Sequence, residues 1–242
     1  MGRHGTIAGR KAAQDAKRGA MFTKYTRAIM MAAKAGGDPE YNASLKNAIE
    51  RAKAINLPKD KITQAIKKGT GELEGETYEE LSYEGYGPGG VAIVVDVLTD
   101  NKNRTNSAIK HIFDKHNGNL GTPGCVAYMF ERKGVILIEQ TDGVDEDTLM
   151  EAALDAGADD FKAEDELFEV LTSTEDFHAV ADALREAGYE LAEADIEQVA
   201  SIEAEPKTES ELKSLTKLID ALEENDDVQK VYTNSTVEFG AE

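Results

Sequence analysis

From position 12 to position 35, apolar residues recur every three to four positions with no proline to interrupt them: Phe22, Tyr25, Ile29 and Ala32/Ala33. That spacing predicts one amphipathic helix, and Lys17, Lys24, Arg27 and Lys34 fall on its other side. Gly36-Gly37-Asp38-Pro39 ends it. A second helix is predicted over residues 43–55, with Leu45, Ala48, Ile49 and Ala52 inward and Asn42 as cap. Pro58 suits the first turn of a third helix, whose inner stripe is Ile62, Ala65 and Ile66 and which Gly69 ends. Three short helices with short connections predict a small bundle. The glycine- and glutamate-rich stretch 69–76 then has the composition of a linker.

The pattern changes after the linker. Leu81 and Tyr83 alternate within a strand predicted over residues 77–84, and Gly85-Tyr86-Gly87-Pro88-Gly89-Gly90 forms a turn. Residues 91–98 are a nearly continuous aliphatic run, the signature of a buried strand. A helix follows to about His116, with Asn103 as a candidate cap and Ile109, Ile112 and Phe113 inward. Strands are predicted at 125–130 and 135–139. Helix 146–156, strand 160–163, strand 167–171, helix 176–187 and a last strand within 196–203 complete a βαββαβ order, that of the ferredoxin-like split βαβ arrangement. A helix at 209–222 and a strand at 228–232 remain, too few to bury a core of their own. The expected fold is therefore α+β and multidomain. An N-terminal three-helix bundle (1–75) precedes two α/β domains, the middle one (76–131 with 206–242) carrying the ferredoxin-like one (132–205) as an insertion.

Charge alters the functional picture. The 242 residues have a net charge of −20, which alone disfavours a polyanionic partner. Residues 1–75, however, hold 15 Lys and Arg against 7 Asp and Glu, a balance of +8, and the rest of the chain carries −28. A basic segment of this kind is drawn to phosphate backbones while the remainder is repelled. Arg10, Lys11, Lys17, Arg18, Lys24 and Arg27 fall within 18 positions with Asp15 as the one acidic residue before Asp38. They are the candidate phosphate ligands. Docking on the chain's own acidic domains is the competing use of the same charges.

The segment Thr99-Asp100-Asn101-Lys102-Asn103-Arg104-Thr105 stands where a buried strand meets a helix. Free N–H groups at such a junction can receive phosphate or carboxylate, and Asp and Asn there can equally cap the helix. Asp100, Asn101, Asn103 and Arg104 are candidate contacts on this ground. The glycines at 85–90 lack the Gly-Lys-Ser/Thr and following helix of a phosphate loop, so a hairpin turn accounts for them, with Tyr86 as a candidate stacking residue. His4, His111, His116 and His178 are scattered, which predicts no metal site. Cys125, the single cysteine, is expected to be a small buried residue. No catalytic constellation, cofactor motif, apolar leader or 18-residue apolar run is present. The expectation is a cytoplasmic protein without catalysis, cofactor, membrane partner or small-molecule substrate.

Several segments resemble one family. Arg10-Lys11-Ala12-Ala13-Gln14-Asp15-Ala16-Lys17-Arg18-Gly19 followed by Phe22-Thr23-Lys24 is similar to the opening of the YebC/PmpR family. Tyr83–Gly90, Leu98–Thr105 and Lys115–Gly121 look like its central signatures. Many members carry Ser-Lys-Trp-x-x-Ile-Lys-His after the initiator, whereas residues 3–10 here are Arg-His-Gly-Thr-Ile-Ala-Gly-Arg, without the tryptophan. The resemblance implies three domains around a cleft and a bacterial cytoplasmic protein with no catalysis. It implies either a DNA-binding transcriptional regulator or a ribosome-associated translation factor. Mitochondrial relatives activate translation, and bacterial ones are linked to ribosomes stalled on proline-rich segments. Its partner is thus expected to be nucleic acid, DNA or ribosomal RNA.

Overall fold

The computed structural model describes residues 18–74, 77–141, 143–164 and 166–237. The chain divides into two compact units, one comprising residues up to Met129 with Ser201 onward and the other Phe130–Ala200.

The first unit opens with the helical bundle. Helix α1 (Arg18–Ala33), α2 (Ala43–Ala54) and α3 (Lys59–Gly69) pack Ile29, Met30, Leu45, Ala52, Leu57, Ile62 and Ala65 into one core. Asn42 caps α2 as its position predicts, accepting from the Leu45 amide at 3.1 Å, and its amide group also donates to the carbonyls of Ala32 and Gly36, both at 2.7 Å. That one side chain therefore stops α1 and starts α2. Gly69 lets the end of α3 lie directly on the α1 backbone, where a Cβ would run into the Met30 carbonyl and Ala33. Residues 12–17 of the predicted first helix lie outside the described residues.

Four antiparallel strands complete this unit: β1 (Glu79–Tyr86), β2 (Ala92–Thr99), β3 (Asn119–Leu120) and β8 (Val228–Thr233), in the order β3-β1-β2-β8. Helices α4 (Lys102–Lys115) and α7 (Glu209–Glu223) cover one face, burying Ile109, Phe113, Leu215, Leu218, Ile219 and Leu222 against Val91, Ile93, Val95 and Val97. The register alternates along β2, so Leu98 points the other way and joins the bundle core with Tyr78. The capping box of Thr208 and Glu211 begins α7. Helix α4 is capped by Asn101, not by Asn103, which lies inside its first turn.

The second unit contains β4 (Phe130–Glu139), α5 (Glu146–Asp155), β5 (Asp160–Ala163), β6 (Leu167–Thr172), α6 (Phe177–Glu186) and β7 (Leu191–Ala200). Its sheet order is β5-β6-β4-β7, with every neighbouring pair antiparallel. This is the ferredoxin-like order. Ile136, Ile138, Phe168 and Val170 pack against Leu149, Phe177, Val180 and Leu184 from the helices.

Two strand expectations are corrected. Residues 125–129 do not form a strand; they end in a 3-10 turn, Ala127–Met129. The Glu84 carboxylate accepts the backbone N–H groups of Gly124, Val126 and Ala127 at 2.7–2.9 Å, so these donors are not free for a ladder. Strand β4 then runs unbroken from Phe130 through Gly134, which sequence patterning reads as two separate pieces. Gly134 is required there by packing. A Cβ would collide with the Thr172 hydroxyl and approach Phe177 to 2.6 Å. Among the described residues no helix is long and apolar enough to cross a membrane.

Gly134→Ala should therefore destabilise the second unit by about 1–3 kcal/mol, the usual cost of overpacking. Hydrogen exchange would show faster exchange at β4 amides while amides of α1–α3 keep their protection.

Candidate nucleic-acid interface

Two cations of the first helix, Lys24 and Arg27, converge on one acidic turn between α7 and β8. Lys24 Nζ donates to the Glu223 carbonyl at 2.7 Å. Arg27 Nη1 donates to the Asp226 carbonyl at 2.7 Å and to the Asp227 carboxylate at 3.1 Å. Helix ends leave their last carbonyls without intrahelical partners, and cations complement them electrostatically. Lys24 and Arg27 fill that role for the end of α7, as the competing self-docking use of these charges requires. The Arg27 guanidinium also lies 5.1 Å from the centre of the Tyr78 ring, and Lys34 donates to the Tyr78 carbonyl at 3.0 Å.

Asp227 gathers the strand-to-helix junction as well. Its carboxylate accepts from Arg104 Nη2 at 3.0 Å and from the Thr105 hydroxyl at 2.7 Å, while the Thr99 hydroxyl lies 2.7 Å from that of Thr105. Its backbone carbonyl accepts from the Leu98 amide at 2.7 Å. Side-chain exposure is 8 % for Asp227, 14 % for Arg27 and 52 % for Arg104. Burial alone would raise the Asp227 pKa. The hydrogen bonds from Thr105 and Arg104, and the charges of Arg104 and Arg27, outweigh burial and hold the carboxyl below its ordinary value.

The remaining junction candidates have definite places. Asp100 accepts from Arg104 at 2.8 Å, so its carboxylate neutralises that guanidinium. Asn101 spends its side-chain oxygen on the Arg104 amide, and the exposed Asn103 sits in the first turn of α4. Tyr86 is half-buried, and its hydroxyl donates to the Cys125 carbonyl at 3.1 Å. Arg10, Lys11 and Lys17 lie outside the described residues, and Arg18 is the first residue of α1.

Sequence reasoning passed over the cations that the bundle leaves outward. Lys53 on α2, and Lys59, Lys67 and Lys68 on α3, are exposed and have no side-chain partner among the described residues. For those on α3 the signal was the inner stripe Ile62-Ala65-Ile66, which fixes these lysines on the solvent side. On α4, Lys102, Lys110 and Lys115 are exposed as well. The acidity is concentrated elsewhere: residues 130–200 hold 22 Asp and Glu against 4 Lys and Arg.

Comparison with known proteins accounts for nearly the whole chain. The model of the TACO1/YebC protein N-terminal domain matches residues 3–72, and that of the TACO1/YebC second and third domain matches residues 78–235. The chain belongs to the TACO1/YebC family. A relative from Clostridioides difficile (strain 630), named a probable transcriptional regulatory protein, is 54 % identical over 239 residues, covering 98 % of this chain and 100 % of that one. Another from Persephonella marina, with the same name, is 52 % identical over 227 residues, covering 93 % and 90 %. The crystal structure of the conserved hypothetical protein Aq1575 from Aquifex aeolicus superposes with a TM-score of 0.85 at 44 % identity, covering 94 % of this chain and 93 % of that one. This chain thus shares its fold with Aq1575, and here that fold comprises helices and two four-stranded antiparallel sheets.

The Asp227 cluster makes stability depend on pH with a definite sign. A carboxyl whose folded pKa lies below its unfolded value of about 3.9 stabilises the fold above that value, and the contribution is lost as pH falls through the folded pKa. Asp227→Asn should cost about 1–3 kcal/mol at pH 7, since it leaves buried donors poorly matched. Urea denaturation at a series of pH values should show a smaller loss of stability on acidification for the variant than for the wild type.

Proposed function

We propose that this protein is a non-enzymatic, nucleic-acid-binding regulator of gene expression, a DNA-binding transcriptional regulator of the YebC type acting in the cytoplasm. The observation that carries the reading is the separation of charge. The bundle keeps unpartnered lysines on its outer face, while the acidic residues are concentrated in the insertion. Lys53, Lys59, Lys67 and Lys68 can replace counterions along a phosphate backbone. Arg10, Lys11, Lys17 and Arg18 belong to the same basic segment and add to its charge. The names of the relatives support control at the level of transcription. In this reading residues 1–75 are the nucleic-acid-binding domain, and Arg104, whose side chain stays 52 % exposed beside its partners Asp100 and Asp227, is a secondary contact from the middle domain.

A second reading, a ribosome-associated translation factor that contacts ribosomal RNA, is favoured by one specific observation. Every exposed cation among the described side chains of the bundle is a lysine, and Arg51 is half-buried with its guanidinium 5.4 Å from the Tyr25 ring centre. Lysines act as point charges on phosphates, whereas bidentate reading of guanine edges relies chiefly on arginine. A lysine surface suits recognition by shape and backbone, which is how structured RNA is recognised.

Reversing Lys59, Lys67 and Lys68 to glutamate should weaken binding to duplex DNA or to ribosomes. It should also lower the slope of log affinity against log salt by roughly one unit for each phosphate that is no longer neutralised. Lys24→Glu should leave that slope unchanged and lower stability instead. Sedimentation with ribosomes at two salt concentrations, with duplex DNA as competitor, separates the readings. Protein that stays with ribosomes despite the DNA supports the translation factor. Protein carried off by one DNA sequence in preference to others supports the transcriptional regulator. No binding to either would refute both.

A further inference from the structure

The glycine-rich signatures at 85–90 and 117–121 take no part in the lysine surface, yet they meet at one corner of the first unit. Strand β3 pairs with the end of β1 at Gly85 and Tyr86. Phe113, from the end of α4, fills the space beneath Gly85 and Gly118, where a Cβ would come within 2.8 and 2.9 Å of its ring. The Gly121 amide donates to the Glu84 carbonyl at 2.8 Å. The Glu84 carboxylate then fastens the next turn through Gly124, Val126 and Ala127. Burial would raise the Glu84 pKa, but these three N–H donors prevail and hold it below the ordinary carboxylate range. The turn is closed further by Cys125 N–H to the Thr122 carbonyl and Met129 N–H to the Val126 carbonyl.

All of this immobilises a loop that presents one large side chain to solvent. Tyr128 is 65 % exposed. Its hydroxyl neighbours that of the half-buried Tyr86 and is the main cause that raises the Tyr86 phenol pKa. Charge is sparse around it: no Asp, Glu, Lys or Arg occurs from Asn117 to Phe130, nor from Gly85 to Val95, and the Glu84 carboxylate that fastens the loop is turned onto three backbone N–H groups. In a chain of net charge −20, such a corner opposes a phosphate backbone less than the acidic surface elsewhere does, since its one carboxylate is satisfied by N–H donors. The exposed Lys110 and Lys115 lie on the helix whose end packs beneath it. The other strongly exposed tyrosine, Tyr41 at 92 %, follows Asp38 and Glu40, whose carboxylates oppose a phosphate.

We propose that the Glu84-fastened corner is a second nucleic-acid site, in which Tyr128 stacks on an unpaired nucleobase. The proposal rests on the nucleic-acid reading above and adds to it a preference for single-stranded or looped segments. Stacking on a preorganised ring is tolerant of base identity and incurs little ordering cost, because the loop is already fixed. It also moves the stacking role expected of Tyr86 to the neighbouring ring that the structure leaves open.

The chain contains no tryptophan, so Tyr128→Trp introduces a single indole at the site. Titration of that full-length variant with a short mixed-sequence single-stranded oligonucleotide should quench the indole emission, and a blunt duplex should quench it far less. Tyr128→Ala should weaken binding of the single strand by about tenfold, the order expected for one base that no longer stacks. Tyr128→Phe should stay within about twofold of the wild type. Unchanged emission together with unchanged affinity of Tyr128→Ala, while the wild type still binds the strand, would overturn the stacking site alone. A wild type that binds neither strand nor duplex would overturn the nucleic-acid reading on which it rests.

Discussion

The first unit is held together around a buried carboxylate. Asp227 accepts from an arginine of the first helix, an arginine of the fourth and a threonine hydroxyl, and its own backbone carbonyl extends the pairing of β2 at Leu98. Removing a carboxylate from water is costly, and it persists only where donors and opposite charges compensate it. Compensation here comes from three parts of the chain at once. Asp227 is therefore fully compensated only when the bundle, the strand-to-helix junction and the end of α7 are assembled together. Lys24 and Lys34 add hydrogen bonds to carbonyls along the same seam, and Tyr78 and Leu98 add apolar burial.

This arrangement changes the meaning of the basic first helix. Its arginine and lysine look like phosphate ligands in isolation, because few carboxylates stand near them in sequence. Their partners lie about 200 positions away, on a turn whose Asp226-Asp227 pair is ordinary in so acidic a chain. The cations that stay exposed include the α3 lysines, whose inward neighbours, Ile62 and Ala65, hold them outside.

Much of the architecture was legible because it is local. The three-to-four spacing of α1–α3, the Asn42 cap, the aliphatic run of β2 and the βαββαβ order of the insertion all follow from periodicity and turn chemistry. The errors occur where distant groups compete for the backbone. Residues 125–129 have strand-like composition, and only Glu84, forty positions earlier, diverts their N–H groups. Asn103 is as good a cap by type as Asn101, and the choice falls to the residue beside Thr99 and Thr105. Gly134 looks like a break and is instead the point at which a strand must pass under Thr172 and Phe177. The site was legible to the level of charge segregation, while the use of each cation depends on tertiary contacts that spacing does not encode.

The insertion enters and leaves through adjacent strands, Phe130 facing Ala200. Helix α7 and strand β8, which close the first core, thus follow it in the chain. During synthesis from the N-terminus, the bundle and the first two strands leave the ribosome well before the turn that carries Asp227. Until some seventy residues of a self-contained unit have been made, Arg27 and Arg104 lack their shared partner and the apolar face of β2 lacks α7. The nascent chain therefore passes through an interval in which its basic helix is uncovered beside the ribosome.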